Sequence, residues 1–134
     1  MSHITNIHTK AIANTNFREV IFTGPQSQLV IMSIAEGAEV GEESHALVEQ
    51  TLYIVKGVCM VTLDGKVTEV KEGDIVVVTP GTLHNFINKG NEAVKIITTY
   101  SPPNHIDGRI HITFEDAVND DEDEAFSDEV NKAN

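Results

Sequence analysis

Beyond roughly the first dozen residues, apolar and polar positions alternate over short runs, and glycine or proline interrupts each run. The segments 17–23, 28–35, 51–55, 58–63, 67–70, 75–78, 85–87 and 94–100 read as strands on this pattern. They are rich in Val, Ile and Thr, which suit a pleated, half-buried surface. The breaks between them (Gly24-Pro25, Glu36-Gly37, Lys56-Gly57, Glu72-Gly73-Asp74, Thr79-Pro80-Gly81) carry the residues that turns demand. Asp64-Gly65, set between two such runs, predicts a two-residue hairpin. Eight short strands at regular spacing, with no helical period among them, predict an all-β sandwich or barrel. One helix is expected, after residue 113, where Thr113 can cap and Glu115 and Asp116 fall in a first turn, with packing through Phe114, Val118 and Phe126.

A length of 134 residues fits a single domain able to bury a core without cross-links. Residues 1–114 are expected to form that domain, and residues 115–134 an acidic helix or tail, solvated and partly disordered. The formal charge is −12, and the last twenty residues hold nine acids against one lysine. A chain of this sign lacks the basic footprint that nucleic acid or an anionic membrane surface requires. Cys59 is the sole cysteine and lies in an apolar run, as a packed core residue would. No internal disulfide can form, which suits a reducing, cytoplasmic setting. The N-terminal residues show no signal-peptide pattern, and no run approaches the roughly 20 apolar residues of a membrane span.

Of six histidines (His3, His8, His45, His84, His105, His111), two lie in patterned segments. The first is Gly41-Glu42-Glu43-Ser44-His45-Ala46-Leu47-Val48-Glu49-Gln50, with Gly57 following after six residues. The second runs Gly73-Asp74, then Thr79-Pro80-Gly81-Thr82-Leu83-His84 and on to Asn88. Together they resemble the two signature motifs of the cupin superfamily over about residues 30–100. In words, the first motif is Gly, five residues, His-x-His, three or four residues, Glu, six residues, Gly. The second is Gly, five residues, Pro-x-Gly, two residues, His, three residues, Asn. Read from Gly41, the first motif departs in three ways. The interval to His45 is short, Leu47 stands for the second histidine, and Gln50 stands for the glutamate. In the second, Thr79 stands where proline is expected.

The resemblance implies a double-stranded β-helix, a jelly-roll barrel with a short C-terminal helix. It also implies a divalent transition metal (Mn, Fe, Ni or Zn) held by His45, Gln50 and His84 and weakened by Leu47. If residues alternate inward along a strand, His45 and Leu47 share a face, and Phe86 and Asn88 share one with His84. Gln50 facing inward with Leu52 and Ile54 needs a bulge or turn near Val48; a straight strand would send Glu49 inward instead. Glu49 and His105 are further candidates for the vacant ligand position. A pocket that binds an organic ligand without metal, walled in part by Leu47, is the alternative.

The segment Tyr100-Ser101-Pro102-Pro103-Asn104-His105-Ile106-Asp107-Gly108 is similar to a stretch of small bacterial cupins, some of them mannose-6-phosphate-isomerase-like. A rigid loop in which His105 and Asp107 bond each other or the backbone is its structural reading. His3, His8 and His111 read as bystanders, and Glu42 and Glu43 as surface acids, of which at most one enters the pocket. The expected function is isomerase-like metal chemistry on a small sugar or sugar acid; the alternative is a non-enzymatic small-molecule-binding protein. A homodimer is expected, with the N-terminal segment through Phe22 covering a free sheet edge.

Overall fold

The computed structural model describes residues 1–132. Helix α1 (Ile7–Ala13) precedes β1 (Arg18–Thr23), β2 (Gln28–Ile34), β3 (Glu49–Lys56), β4 (Val58–Leu63), β5 (Lys66–Lys71), β6 (Ile75–Val78), β7 (His84–Ile87), β8 (Val94–Ser101) and β9 (Ile110–His111). Two helices close the chain, α2 (Phe114–Val118) and α3 (Asp121–Val130). Eight of the nine strands lie where the alternation places them. At the predicted hairpin, Asp64 and Gly65 both take positive φ, and Leu63 pairs with Lys66. That is the conformation whose twist suits adjacent antiparallel strands.

A six-stranded sheet, ordered β6-β3-β8-β2-β1-β9, is joined by a three-stranded sheet ordered β5-β4-β7. All pairings are antiparallel, and the arrangement is a jelly-roll barrel. Period-two alternation gives the larger sheet one inward face. Val30, Thr98, Leu52 and Val76 form one row across it, and Met32, Ile96 and Ile54 another. Val61 and Phe86, paired with each other in the smaller sheet, belong to the same core. Full burial of each such apolar side chain contributes about 1.5–3 kcal/mol. One step along the strands, the row changes to Gln28, Tyr100, Gln50 and Val78. The interior is therefore apolar at one end and polar at the other, where the candidate site lies. Cys59 is buried as expected, and burial pushes its thiol up to about 11.

The structure differs from expectation at both ends of the chain. α1 was not foreseen: Asn6 caps it by accepting from the Thr9 N–H, and Ala11 and Ile7 pack on Ile31, Val55 and Ile97. These are outward residues of the large sheet, whose second apolar face thus gains a cover. β1 is not a free edge, because β2 flanks it on one side and β9 on the other. The acidic segment holds two helices, α2 and α3, each begun by a capping side chain, where one short helix and a partly disordered tail are expected from the sequence. Phe114 packs against the core, whereas Val118 and Phe126 are exposed. Of the expected tail, residues 133–134 lie outside the described residues.

Candidate metal centre and adjoining cavity

Between β2 and β3 the chain crosses to the smaller sheet and runs beside β7 as an irregular fourth strand. Gly37 donates to the Asn88 carbonyl, Val40 to that of Phe86, and Glu43 and His84 exchange bonds of 3.0 and 2.9 Å. Isolated bridges link Glu39 to Ile87 and Glu43 to His84. From Glu39 to Glu43 the crossing segment therefore advances four positions while β7 advances three, from Ile87 to His84, which requires a bulge. Gly41 supplies it, with φ of +99° and its N–H on Asn85 Oδ1 at 2.9 Å. The extra residue sets the phase that turns Glu43 toward His84.

Glu43 Oε1 lies 3.7 Å from His45 Nε2 and 3.9 Å from His84 Nε2. The Thr82 carbonyl accepts from His84 Nδ1 at 2.9 Å, which leaves Nε2 as a lone-pair donor, buried and without a partner. Burial lowers the pKa of His45; Glu43 opposes the shift, while His84 and Arg18 add to it. Two imidazoles and a carboxylate thus converge. Both carboxylate–imidazole separations fall within the roughly 4.2 Å that two donors about 2.1 Å from one ion can span. One borderline-hard oxygen and two imidazole nitrogens suit a divalent transition metal.

His45 and His84, two of the three expected ligands, are thereby brought together. Gln50 also faces inward, as its register with Leu52 and Ile54 requires, while Glu49 is exposed. Its amide N–H is engaged, donating to Thr98 Oγ1 at 3.1 Å. Leu47 is not part of the pocket wall: it is 46% exposed, on a bend before β3 begins. No strand runs through residues 44–48, so strand alternation does not put Leu47 and His45 on one face. Of the two flanking acids expected at the surface, Glu43 is the one that enters the site, in a ligand position. The motif in fact fits when begun at Gly37: five residues, Glu43-x-His45, four residues, Gln50, six residues, Gly57. Glutamate replaces the first histidine of the pair, and no histidine is missing at position 47.

The C-terminal segment closes the polar end of the barrel. Asp123 of α3 accepts from His105 Nδ1 and from the Ile106 N–H, both at 2.8 Å. Asn104 Oδ1 accepts from Ser127 and Asn131, and Asn131 Oδ1 accepts from the N–H groups of Leu47 and Val48. His105 therefore pairs with Asp123, not Asp107. Burial, reinforced by the Arg18 charge, pushes His105 down to about 4 against the pull of Asp123. Burial would raise Asp123, but the bonds from His105 and Ile106 outweigh it and hold the carboxyl below its ordinary range. His111 is no bystander: it is buried, with Nε2 on Asp120 at 2.8 Å and Nδ1 3.4 Å from Arg18. His3, at the far end, stacks on Phe22. Beneath α3 is a cavity of about 250 Å³ lined by Arg18, Glu43, His45, His105, Asp123 and Ser127, among others.

Comparison with known proteins agrees with the fold. Residues 30–100, just over half of the chain, match the cupin domain family. An uncharacterized Bacillus subtilis protein, YrkC, is 37% identical over 122 residues, which cover 86% of this chain and 65% of that protein. The chain thus spans just under two thirds of that relative's length. An uncharacterized Acanthamoeba polyphaga mimivirus protein, L612, is 34% identical over 82% of this chain and 71% of its own. The crystal structure of BH2720 from Bacillus halodurans superposes with a TM-score of 0.86 at 30% identity, covering 88% of this chain and 94% of that one.

Proposed function

This chain belongs to the cupin domain family, and we propose that it is a metal-dependent enzyme for a small oxygenated substrate of the sugar or sugar-acid type. The observation that carries the reading is the convergence of Glu43, His45 and His84, with the buried His84 Nε2 lacking a hydrogen-bond partner among the described residues. A buried imidazole nitrogen left unpaired costs about 1–3 kcal/mol, a cost that a ligand removes. Glu43, His45 and His84 would hold the ion, with the Gln50 amide oxygen as a further, weaker donor. Such an ion, when bound, would supply Lewis-acid polarisation of a substrate oxygen.

The chain's own groups supply the remainder. His105 is neutral, and its buried Nε2 has no partner, so it is an acceptor available to a substrate proton. Burial raises the Tyr100 hydroxyl to about 12, so it stays protonated beside the His105 ring, 4.9 Å away between centroids. Phe17, Val40 and Phe114 wall the cavity, and Asp123, Glu124 and Ser127 of α3 line its other side. The likeness of residues 100–108 to mannose-6-phosphate-isomerase-like cupins supports isomerisation as the reaction class. Elemental analysis of protein purified without a metal-affinity tag tests the reading. Near-stoichiometric Mn, Fe, Ni or Zn is expected; no metal, and no change in melting temperature on adding any of the four, would refute it.

The partner proposed besides a small molecule is a second copy of the chain. Edge strand β6 exposes Ile75 and Val77 beside Tyr53 of β3, an apolar strip at the rim of the large sheet. Light scattering at micromolar concentration checks for the dimer, and Val77→Lys is expected to shift it toward monomer. No described helix is long and apolar enough to cross a membrane.

A further inference from the structure

Arg18 is a buried cation without a counter-ion. Its side chain comes from β1, where its backbone pairs with Met32 and His111, and only 7% of the residue is exposed. The guanidinium lies over the Phe17 ring, 5.1 Å from the centroid, and one terminal nitrogen is 3.4 Å from His111 Nδ1. Its Nε is buried and bonded to nothing. Among the described residues no carboxylate oxygen comes within 4.0 Å of it; the ion pairs of the region involve Arg109 and the histidines instead. A buried guanidinium left this way is strongly unfavourable unless something pairs with it.

The same cavity holds an orphan of the opposite kind. His105 donates from Nδ1 to Asp123, so its Nε2 carries a lone pair, and that atom is buried and without a donor. Among the described residues Arg18 has the His111 ring and the Tyr100 hydroxyl beside it but no anionic partner, and His105 Nε2 has no donor. One small molecule satisfies both if it offers a carboxylate to the planar fork of the guanidinium and a hydroxyl to the imidazole.

We infer that the cavity beneath α3 binds a small hydroxy acid, its carboxylate on Arg18 and a hydroxyl on His105 Nε2, beside the Glu43, His45 and His84 cluster. The inference rests on the proposed function in taking the ligand to occupy that same site, and it narrows the substrate from an oxygenated molecule to an anionic one. Charge favours a carboxylate over a phosphate. The cavity wall sets Glu43, Asp123 and Glu124 against one guanidinium, so a dianion would meet more repulsion there than a monoanion held on Arg18. Size agrees: about 250 Å³ is below the roughly 300–1,000 Å³ of pockets for larger ligands.

The test is calorimetric titration of the full chain with glycolate, its neutral analogue glycolamide, acetate and inorganic phosphate, in manganese-loaded and in EDTA-treated protein. Glycolate is expected to bind one to one and at least about tenfold more tightly than glycolamide in both preparations. Acetate, lacking the hydroxyl, should be several-fold weaker than glycolate. Arg18→Lys should weaken glycolate by roughly tenfold, because an ammonium does not reproduce the fork, while manganese content stays unchanged. Equal binding of glycolate and glycolamide, tighter binding of phosphate, or unaltered affinity in Arg18→Lys would each overturn the inference. The first comparison needs only the wild-type protein and stands even if the variant fails to fold. Failure of the metal reading would show separately, as absence of manganese uptake alongside intact glycolate selectivity after EDTA.

Discussion

Glu43 and His84, far apart in sequence, exchange backbone hydrogen bonds in both directions and turn their side chains to the same point, with Oε1 3.9 Å from Nε2. The carboxylate is thus placed by the backbone ladder itself. Glu43→Gln keeps the shape but removes the charge. It should weaken manganese or zinc affinity by roughly ten- to a hundredfold with little change in melting temperature of the metal-free protein. Competition with a chelating dye reads this, and unchanged affinity would remove Glu43 from the ligand set.

Leu47 and Glu43 make a discriminating pair. Leu47 is exposed and its N–H is tied to Asn131, so Leu47→His should leave metal affinity within about twofold. Glu43→His, in contrast, places an imidazole where the motif has its first histidine and should retain binding. A large gain from Leu47→His would mean that the bend at residues 46–47 can turn inward.

Acid lability should trace in part to His105. Its pKa is held at about 4 by burial against an ordinary 6.5. Between those values the unfolded chain binds a proton that the native fold excludes, so stability is lost as pH falls from about 6.5 toward 4. The loss is on the order of 1–3 kcal/mol by pH 4, and His45, also lowered by burial, adds to it in the same direction. Asp123 acts in a lower window: its depressed pKa stabilises the fold above the ordinary carboxyl value, and that contribution disappears as pH falls through the folded one. Urea midpoints at pH 7.5, 6 and 5 should show a shallower slope in His105→Gln than in wild type. Parallel slopes would assign the lability elsewhere.

The acidic C-terminal segment should matter to stability. Asn131 accepts from two backbone N–H groups of the Leu47–Val48 bend and donates to Asn104. Asn131→Ala is expected to cost about 1–2 kcal/mol and to speed hydrogen exchange at the Leu47 and Val48 amides. Deleting residues 120–134 should lower the melting temperature further and expose the cavity to a hydrophobic dye. An unchanged melting temperature would show that α3 does not hold the barrel closed.

Much of the barrel was legible in the chain, since strand alternation and turn residues act over a few positions. Residues 75–78 and 58–63 read as strands from their own composition, and the Asp64-Gly65 hairpin from two residues. Gln50, Leu52 and Ile54 share an inward face because the period of a strand is two. α1 escaped notice because its apolar face is short and finds its partners, Ile31, Val55 and Ile97, only after the sheet has formed.

By itself, then, the sequence determined the strands, the hairpin, the inward register of β3, and the presence of two histidines in spaced motifs. Only the tertiary structure decided which side chains meet. Glu43 joins His45 and His84 because a bulge at Gly41 resets the phase of a segment that is not a regular strand, where alternation no longer predicts direction. Asp123 reaches His105 because α3 folds back over the barrel mouth, beside an Arg18 that has no carboxylate within ion-pair distance among the described residues. Contacts of that kind depend on the relative placement of distant elements, which no local period encodes.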